Sequence, residues 1–245
     1  MEHFPKAPIQ EALLDIQVVL PVEFAVSSLK SFGKGIEDRF PESQEYIQYV
    51  QNVQIVPTVD SKPAPPSQII DGYVFVSKTN GKVTQARRAG FTFHKLKPYS
   101  RWEDFSSEAK ELWQRYVDLV HPVSVKRLGL RYINRVELPS DIRDLREICT
   151  LFPDVPNGVP QTWMEYFQRF VSPREDGAIA AVSLALDNQP PPGKPSVILD
   201  IDVGYHLPIE KIDNTVFWTR FDALRAWKNE IFDASVTQKA KELFR

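Results

Sequence analysis

Three arginines recur at every fourth position of one short segment, Arg127-Leu128-Gly129-Leu130-Arg131-Tyr132-Ile133-Asn134-Arg135. Read as a strand over Val123–Leu138, the segment turns Leu128, Leu130, Tyr132 and Val136 to one apolar face and the arginines to the other, ~13 Å apart at ~3.3 Å per residue. Guanidinium groups are planar, permanently charged forks that fit phosphate and carboxylate. Gly129, between two of them, leaves room for something to approach the sheet. Residues 72–101, which include Arg87 and Lys95, and residues 119–136 are rich in Lys and Arg and contain no Asp or Glu. A net charge of only -2 therefore hides a segregated basic region. Tyr73, Phe75, Phe91, Phe93 and Tyr99 lie on adjacent segments. The pattern predicts a sheet face that binds an anionic ligand, nucleic acid or nucleotide, through Arg87, Lys95, Arg127, Arg131 and Arg135.

The same arginines admit a structural reading. Antiparallel sheets commonly have one wet face, where arginines pair with carboxylates across strands. Glu11 and Asp15 share one face of the first strand, and Asp200 and Asp202 one face of the last. Those four acids also suggest a third arrangement: a closed sheet with arginines on one wall and paired carboxylates holding Mg²⁺ on another, similar to the triphosphate tunnel enzymes. The E-x-E-x-K opening of that family is absent, since Glu11-Ala-Leu-Leu-Asp15 has a different spacing. Phosphate-loop, dinucleotide-binding, nucleophile-elbow and zinc-protease motifs are also missing. The four histidines are scattered singly, and the lone Cys149 reads as buried packing.

The elements that must position these residues follow from periodicity. Ile9–Leu20 reads as a strand, stopped by Pro21. Apolar positions at Val22, Val26, Leu29, Phe32, Ile36 and Phe40 predict an amphipathic helix, weakened by Gly33 and Gly35. Strands are expected at Tyr46–Val56, Ile69–Lys78, Val83–Ala89 and Phe91–Lys97, with a type I′ hairpin at Asn80-Gly81 and a bulge at Gly90. A capping box of Ser100 and Glu103 opens a helix carrying Trp102, Phe105, Leu112, Trp113 and Tyr116, ended by His121-Pro122. A short helix is expected at Asp141–Cys149. Three more strands follow at Trp163–Val171, Ala178–Leu186 and Val197–Val203. A helix from Asn214 or Thr215 then carries Phe217, Phe221, Leu224, Trp227 and Ile231, and a Ser235/Gln238 box opens a terminal one.

Hairpin-linked strands make the fold α+β: a large curved, mostly antiparallel sheet packed on three long helices, with a loose echo of a duplicated β-β-β-α arrangement. Residues 1–140 form an N-terminal half bearing the basic face, and residues 141–245 a C-terminal half sharing one continuous sheet. At 245 residues, 42% apolar and 25% charged, the chain has material for a sizeable core. One cysteine excludes an intrachain disulfide. No apolar run is long enough to span a membrane and no signal peptide is evident, so the expected location is cytoplasmic.

Three stretches together resemble an uncharacterised, sporadically distributed bacterial protein family of about this length. They are Ala7-Pro8-Ile9-Gln10-Glu11-Ala12, the Arg127-x-Gly129-x-Arg131-Tyr132-x-Asn134-Arg135 motif, and Leu224–Ala240 with Trp227, Phe232, Ser235 and Thr237. The resemblance implies a bacterial, cytoplasmic setting and an accessory or defence role, and it carries no reaction. The leading expectation is a non-enzymatic binding protein for an anionic ligand. The alternatives are a protein-interaction or antitoxin-like accessory subunit, and the Mg²⁺-dependent phosphohydrolase.

Overall fold

A computed structural model of the chain describes residues 4–50, 67–142, 144–160, 162–206 and 214–245. Nine strands form one sheet: β1 (Ile9–Val19), β2 (Glu42–Val50), β3 (Ser67–Ser77), β4 (Lys82–Arg87), β5 (Gly90–Leu96), β6 (Ser124–Glu137), β7 (Phe167–Pro173), β8 (Ala178–Leu186) and β9 (Ser196–Tyr205). Their order is β2-β3-β4-β5-β1-β6-β9-β8-β7, and every neighbouring pair is antiparallel. The β6–β9 pairing joins the strands of both halves of the chain in this sheet. Six strands come from the first half and three from the second, an unequal split that gives a duplication no support.

Two long helices cover one face. Helix α1 (Trp102–Val120) buries Trp102, Phe105, Leu112, Trp113, Tyr116 and Val120, the stripe expected from its spacing. Helix α2 (Asn214–Ser235) lies beside it, and Trp113 stacks on Phe217 with ring centroids 5.5 Å apart. The sheet supplies Ala12, Leu14 and Ile16 from β1, Phe91 and Phe93 from β5, and Leu128, Leu130 and Tyr132 from β6. A short α3 (Gln238–Leu243) closes the chain.

The third long helix expected at Val22–Phe40 is instead a 3₁₀ helix, Val26–Gly33. Leu29 and Phe32 are buried at the three-residue spacing that suits this tighter winding, whereas Val22 is exposed. Gly33 lies so close to the Phe75 ring that a β-carbon there would collide with it, which presses this segment onto β3. The expected helix at Asp141–Cys149 is a single 3₁₀ turn, Leu145–Glu147, capped by Asp144. The strand expected at Tyr46–Val56 begins earlier, at Glu42, and its residues 51–56 lie outside the described residues. The strand expected from Trp163 starts at Phe167.

Local chemistry also departs from expectation. The α1 N-cap is Arg101, without a side-chain cap; Ser100 Oγ donates to Asp104 instead. Thr237, not Ser235, caps α3 by accepting from the Ala240 amide. In the β3–β4 hairpin only Gly81 has positive φ (57°), and Gly81 N–H donates to Lys78 C=O, so the turn is not type I′. Gly90 ends the two-residue β4–β5 turn, where a β-carbon would strike the Ile16 carbonyl of β1. His121 does end α1, in the left-handed conformation (φ 44°).

Candidate functional site

The face of the sheet away from the helices carries the charged residues, and the strand register pairs them. Asp15 of β1 sits opposite Gly129 of β6, and Arg131 sits opposite Asp202 of β9. Arg127 Nη1 donates to Asp15 Oδ2 at 2.7 Å and its Nη2 to Asp202 Oδ1 at 2.6 Å. Arg87 Nη2 reaches the other Asp15 oxygen at 3.3 Å. Arg131 forms a bidentate fork on Asp200, 2.8 and 2.6 Å long. Arg135 Nε lies 2.8 Å from Asp187 Oδ2, an ion pair without hydrogen-bond alignment. Glu11 meets His94 Nδ1 at 2.6 Å, and His94 Nε2 lies 2.9 Å from Thr92 Oγ1.

Electrostatics follow the pairing. The hydrogen bond from His94 holds the Glu11 carboxyl below its ordinary value against the opposing effect of burial. Burial disfavours the charge on Arg127, but Asp202 and Asp15 outweigh it and raise its pKa. The hydrogen bonds to Asp200 raise that of Arg131.

This face therefore brings together Arg87, Arg127, Arg131 and Arg135, but with carboxylates set between them, and the two acid-free stretches do not merge into a bare positive surface. The space over Gly129 is filled by Arg127 itself: a β-carbon there would overlap its guanidinium. Lys95 is displaced from the group. It pairs in register with the buried Ala12 and with Lys82, which bridges to Glu108 of α1, so it belongs to the helix side; its Nζ donates to the Asn80 carbonyl. Glu11, Asp15, Asp200 and Asp202 do not form the acidic wall of a tunnel either. Among the described residues the sheet ends at β2 and β7 without closing, and each of the four acids has a basic side chain as partner. Among the described residues no group of three or more His, Cys, Asp or Glu is disposed to hold a metal ion. Cys149 is buried, which pushes its thiol up to about 12.

A different site lies on the helix side. A cleft of about 440 Å³ opens between the start of β1, the N-terminus of α1, the middle of β6 and the last turns of α2. Tyr99, Trp102 and Tyr132 form aromatic walls, with Arg101, Glu103 and Arg225 at one side and Asn134 and Lys228 deeper in. Tyr99 and Tyr132 share a hydrogen bond between their hydroxyls, 2.9 Å long. Burial pushes the Tyr99 phenol up to about 12 and that of Tyr132 well above its ordinary range, so both stay protonated. Arg225 lies 3.5 Å from Glu103 and over the Trp102 ring, whose indole N–H donates to Asp222. Arg101 is paired with Asp104.

Lys228 differs from these. It is only 8% exposed, its Nζ stands 3.9 Å from the centre of the Tyr132 ring, and among the described residues no oxygen accepts a hydrogen bond from it. Burial, helped by Arg225, brings its pKa down to about 7. An isolated buried ammonium is costly, and such groups give up their charge or find a partner.

The signal for this site was present in two interrupted patterns. The α2 stripe Phe217, Phe221, Leu224, Phe232 has a lysine at the position, 228, where the period calls for an apolar residue. The β6 stripe Leu128, Leu130, Tyr132, Val136 has an asparagine at 134. Both residues are buried, and both line the same cleft. No family model, curated protein or solved structure matches this chain, so its function is read from geometry.

Proposed function

We propose that the chain is a non-enzymatic binding protein for a small anionic ligand with a planar ring, of the nucleotide class, and that the ligand enters the cleft around Lys228 rather than lying on the arginine-bearing face. The observation that carries the reading is the buried Lys228, opening into a cleft and without a hydrogen-bond acceptor among the described residues. Among the described residues Arg101 pairs with Asp104 and Arg225 with Glu103, so the positive charge an entering anion meets is that of Lys228 when protonated. Aromatic walls offer a ring the stacking surface typical of such sites, and the volume lies within the range for small-molecule clefts. The arginine row, by contrast, is neutralised by its own carboxylates, which supports a structural role for Arg87, Arg127, Arg131 and Arg135. The test is a thermal melt with AMP and with inorganic phosphate. A ligand that binds only the folded chain raises the melting temperature, and the rise grows with the logarithm of ligand concentration above Kd. AMP is expected to stabilise wild type and not Lys228→Met; equal stabilisation of both, or of neither, contradicts the reading.

A second reading, a protein-interaction subunit whose sheet edge pairs with a second copy of this chain, has one observation in its favour. The sheet edge at β7 exposes Phe167 and Val171, and Met164 just before it is 96% exposed. An unpaired edge with apolar side chains is a template for strand addition. Self-association across β7 is expected to be lost in Phe167→Lys/Val171→Lys, measured by light scattering; a wild type that stays monomeric removes this reading.

A further inference from the structure

We infer that Lys228 captures carbonyl compounds covalently: in the cleft its amine condenses with the aldehyde of a small anionic aromatic ligand to form an imine. This rests on the cleft-binding reading and names the chemical class of ligand within it.

Three features of the site support the step. Lys228 is anchored on a rigid helix, more than nine-tenths buried, with no acceptor among the described residues to tie up its nitrogen. The groups facing it favour the neutral amine. Arg225 of its own helix adds positive charge, and the one carboxylate that lines the cleft among the described residues, Glu103 of α1, lies against Arg225. From β6 and the loop before α1 come Asn134, Ser100, the protonated phenols of Tyr132 and Tyr99, and Arg101, whose charge is paired with Asp104. The Tyr132 ring face favours the ammonium and opposes this, but burial dominates and the pKa falls to about 7. Near neutral pH roughly half of Lys228 is then free amine, roughly a thousandfold more than for an ordinary lysine with pKa near 10.4. Finally, Arg101 and Arg225 line the same cleft, and an anionic group that displaces their partners Asp104 and Glu103 leaves a carbonyl free to reach the more buried Lys228.

The chemistry needs no oxidant or reductant. The Lys228 lone pair forms a C–N bond to the carbonyl carbon, and the carbonyl π pair moves to oxygen. A first proton shifts from nitrogen to that oxygen to give a carbinolamine, the second nitrogen proton follows as the C–O bond breaks, water leaves with both, and a C=N bond remains. Aldehyde and amine are consumed, imine and water are produced, and hydrolysis reverses the step.

The full chain is incubated at pH 7 with one equivalent of pyridoxal 5′-phosphate, an aromatic aldehyde that carries a phosphate, reduced with borohydride and mapped by mass spectrometry. The expected result is a single adduct on Lys228, formed at least tenfold faster than on any other lysine of the same molecule and suppressed by AMP. Its rate is expected to rise with pH to a midpoint near 7. Comparing lysines within the wild-type chain makes the result independent of whether Lys228→Met folds. Pyridoxine 5′-phosphate, with an alcohol in place of the aldehyde, separates the two claims. If it binds but pyridoxal phosphate leaves Lys228 unmodified, the imine is overturned and the binding reading stands. If neither binds, both fall. Adducts spread evenly over the lysines also overturn the inference.

Discussion

The Arg127 guanidinium lies over the bare backbone of Gly129, two residues further along the same strand. Gly204 sits opposite Gly129 on β9, so two glycines make a flat floor on which the fork rests between Asp15 and Asp202. A methyl group at 129 would lift the guanidinium and leave both carboxylates with weakened partners. Gly129→Ala is expected to destabilise the fold by about 2–4 kcal/mol, as breaking a largely buried ion pair does. Denaturant titration measures it; a change below about 0.5 kcal/mol means that the fork does not depend on the glycine.

The packing of α1 rests on Trp113, which is buried among Phe91, Tyr116 and Phe217. Trp113→Ala is expected to cost about 3–5 kcal/mol. Its indole Nε1 has no hydrogen-bond partner, so Trp113→Phe, which keeps a ring and removes that buried donor, is expected to cost much less. Equal losses for the two variants would mean that a phenyl ring at 113 recovers none of the packing that the indole provides.

Much of this architecture was legible in the residues. The α1 stripe, the alternation along β6 and the run Ala178–Leu186 each show one clean period, because one side of each element meets the core. The Val22–Phe40 segment misled because three-residue spacing suits a 3₁₀ helix as well as an α-helix. The arginines could be named from sequence, as could the acids. Their pairing depends on the β1–β6–β9 register, which no local pattern encodes. Lys228 and Asn134 were visible as breaks in apolar stripes, but only the packing of α2 beside β6 brings the two breaks into one cleft.

Acid stability should report the Glu11–His94 contact. The Glu11 pKa is lowered in the fold, chiefly by the His94 hydrogen bond, so its contribution is present above the ordinary value of 4.5 and is lost as pH falls through the lower folded value. Glu11→Gln is expected to flatten the decline in melting temperature below pH 4.5. An unchanged decline would show that the contact carries no linkage.

Lys228 has the opposite signature. Its pKa in the fold is lowered to about 7 by burial, so between that value and the ordinary 10.5 the unfolded chain binds one more proton than the folded one. Stability then rises with pH across that window, by up to about 1.4 kcal/mol per unit, relative to a variant without the amine. Lys228→Met is expected to be more stable than wild type at pH 7, with the gap closing towards pH 10. A gap that does not change with pH would place Lys228 in contact with solvent.

The central claim is that an anion entering the cleft becomes the missing partner of Lys228, and proton uptake on binding tests it most directly. At pH 8 the amine is mostly neutral, and an adjacent phosphate restores its charge. Calorimetric titration of AMP in two buffers of different ionisation enthalpy is expected to show close to one proton taken up by wild type, with binding lost in Lys228→Met. Binding without proton uptake, or with the same uptake in Lys228→Met, would contradict the account.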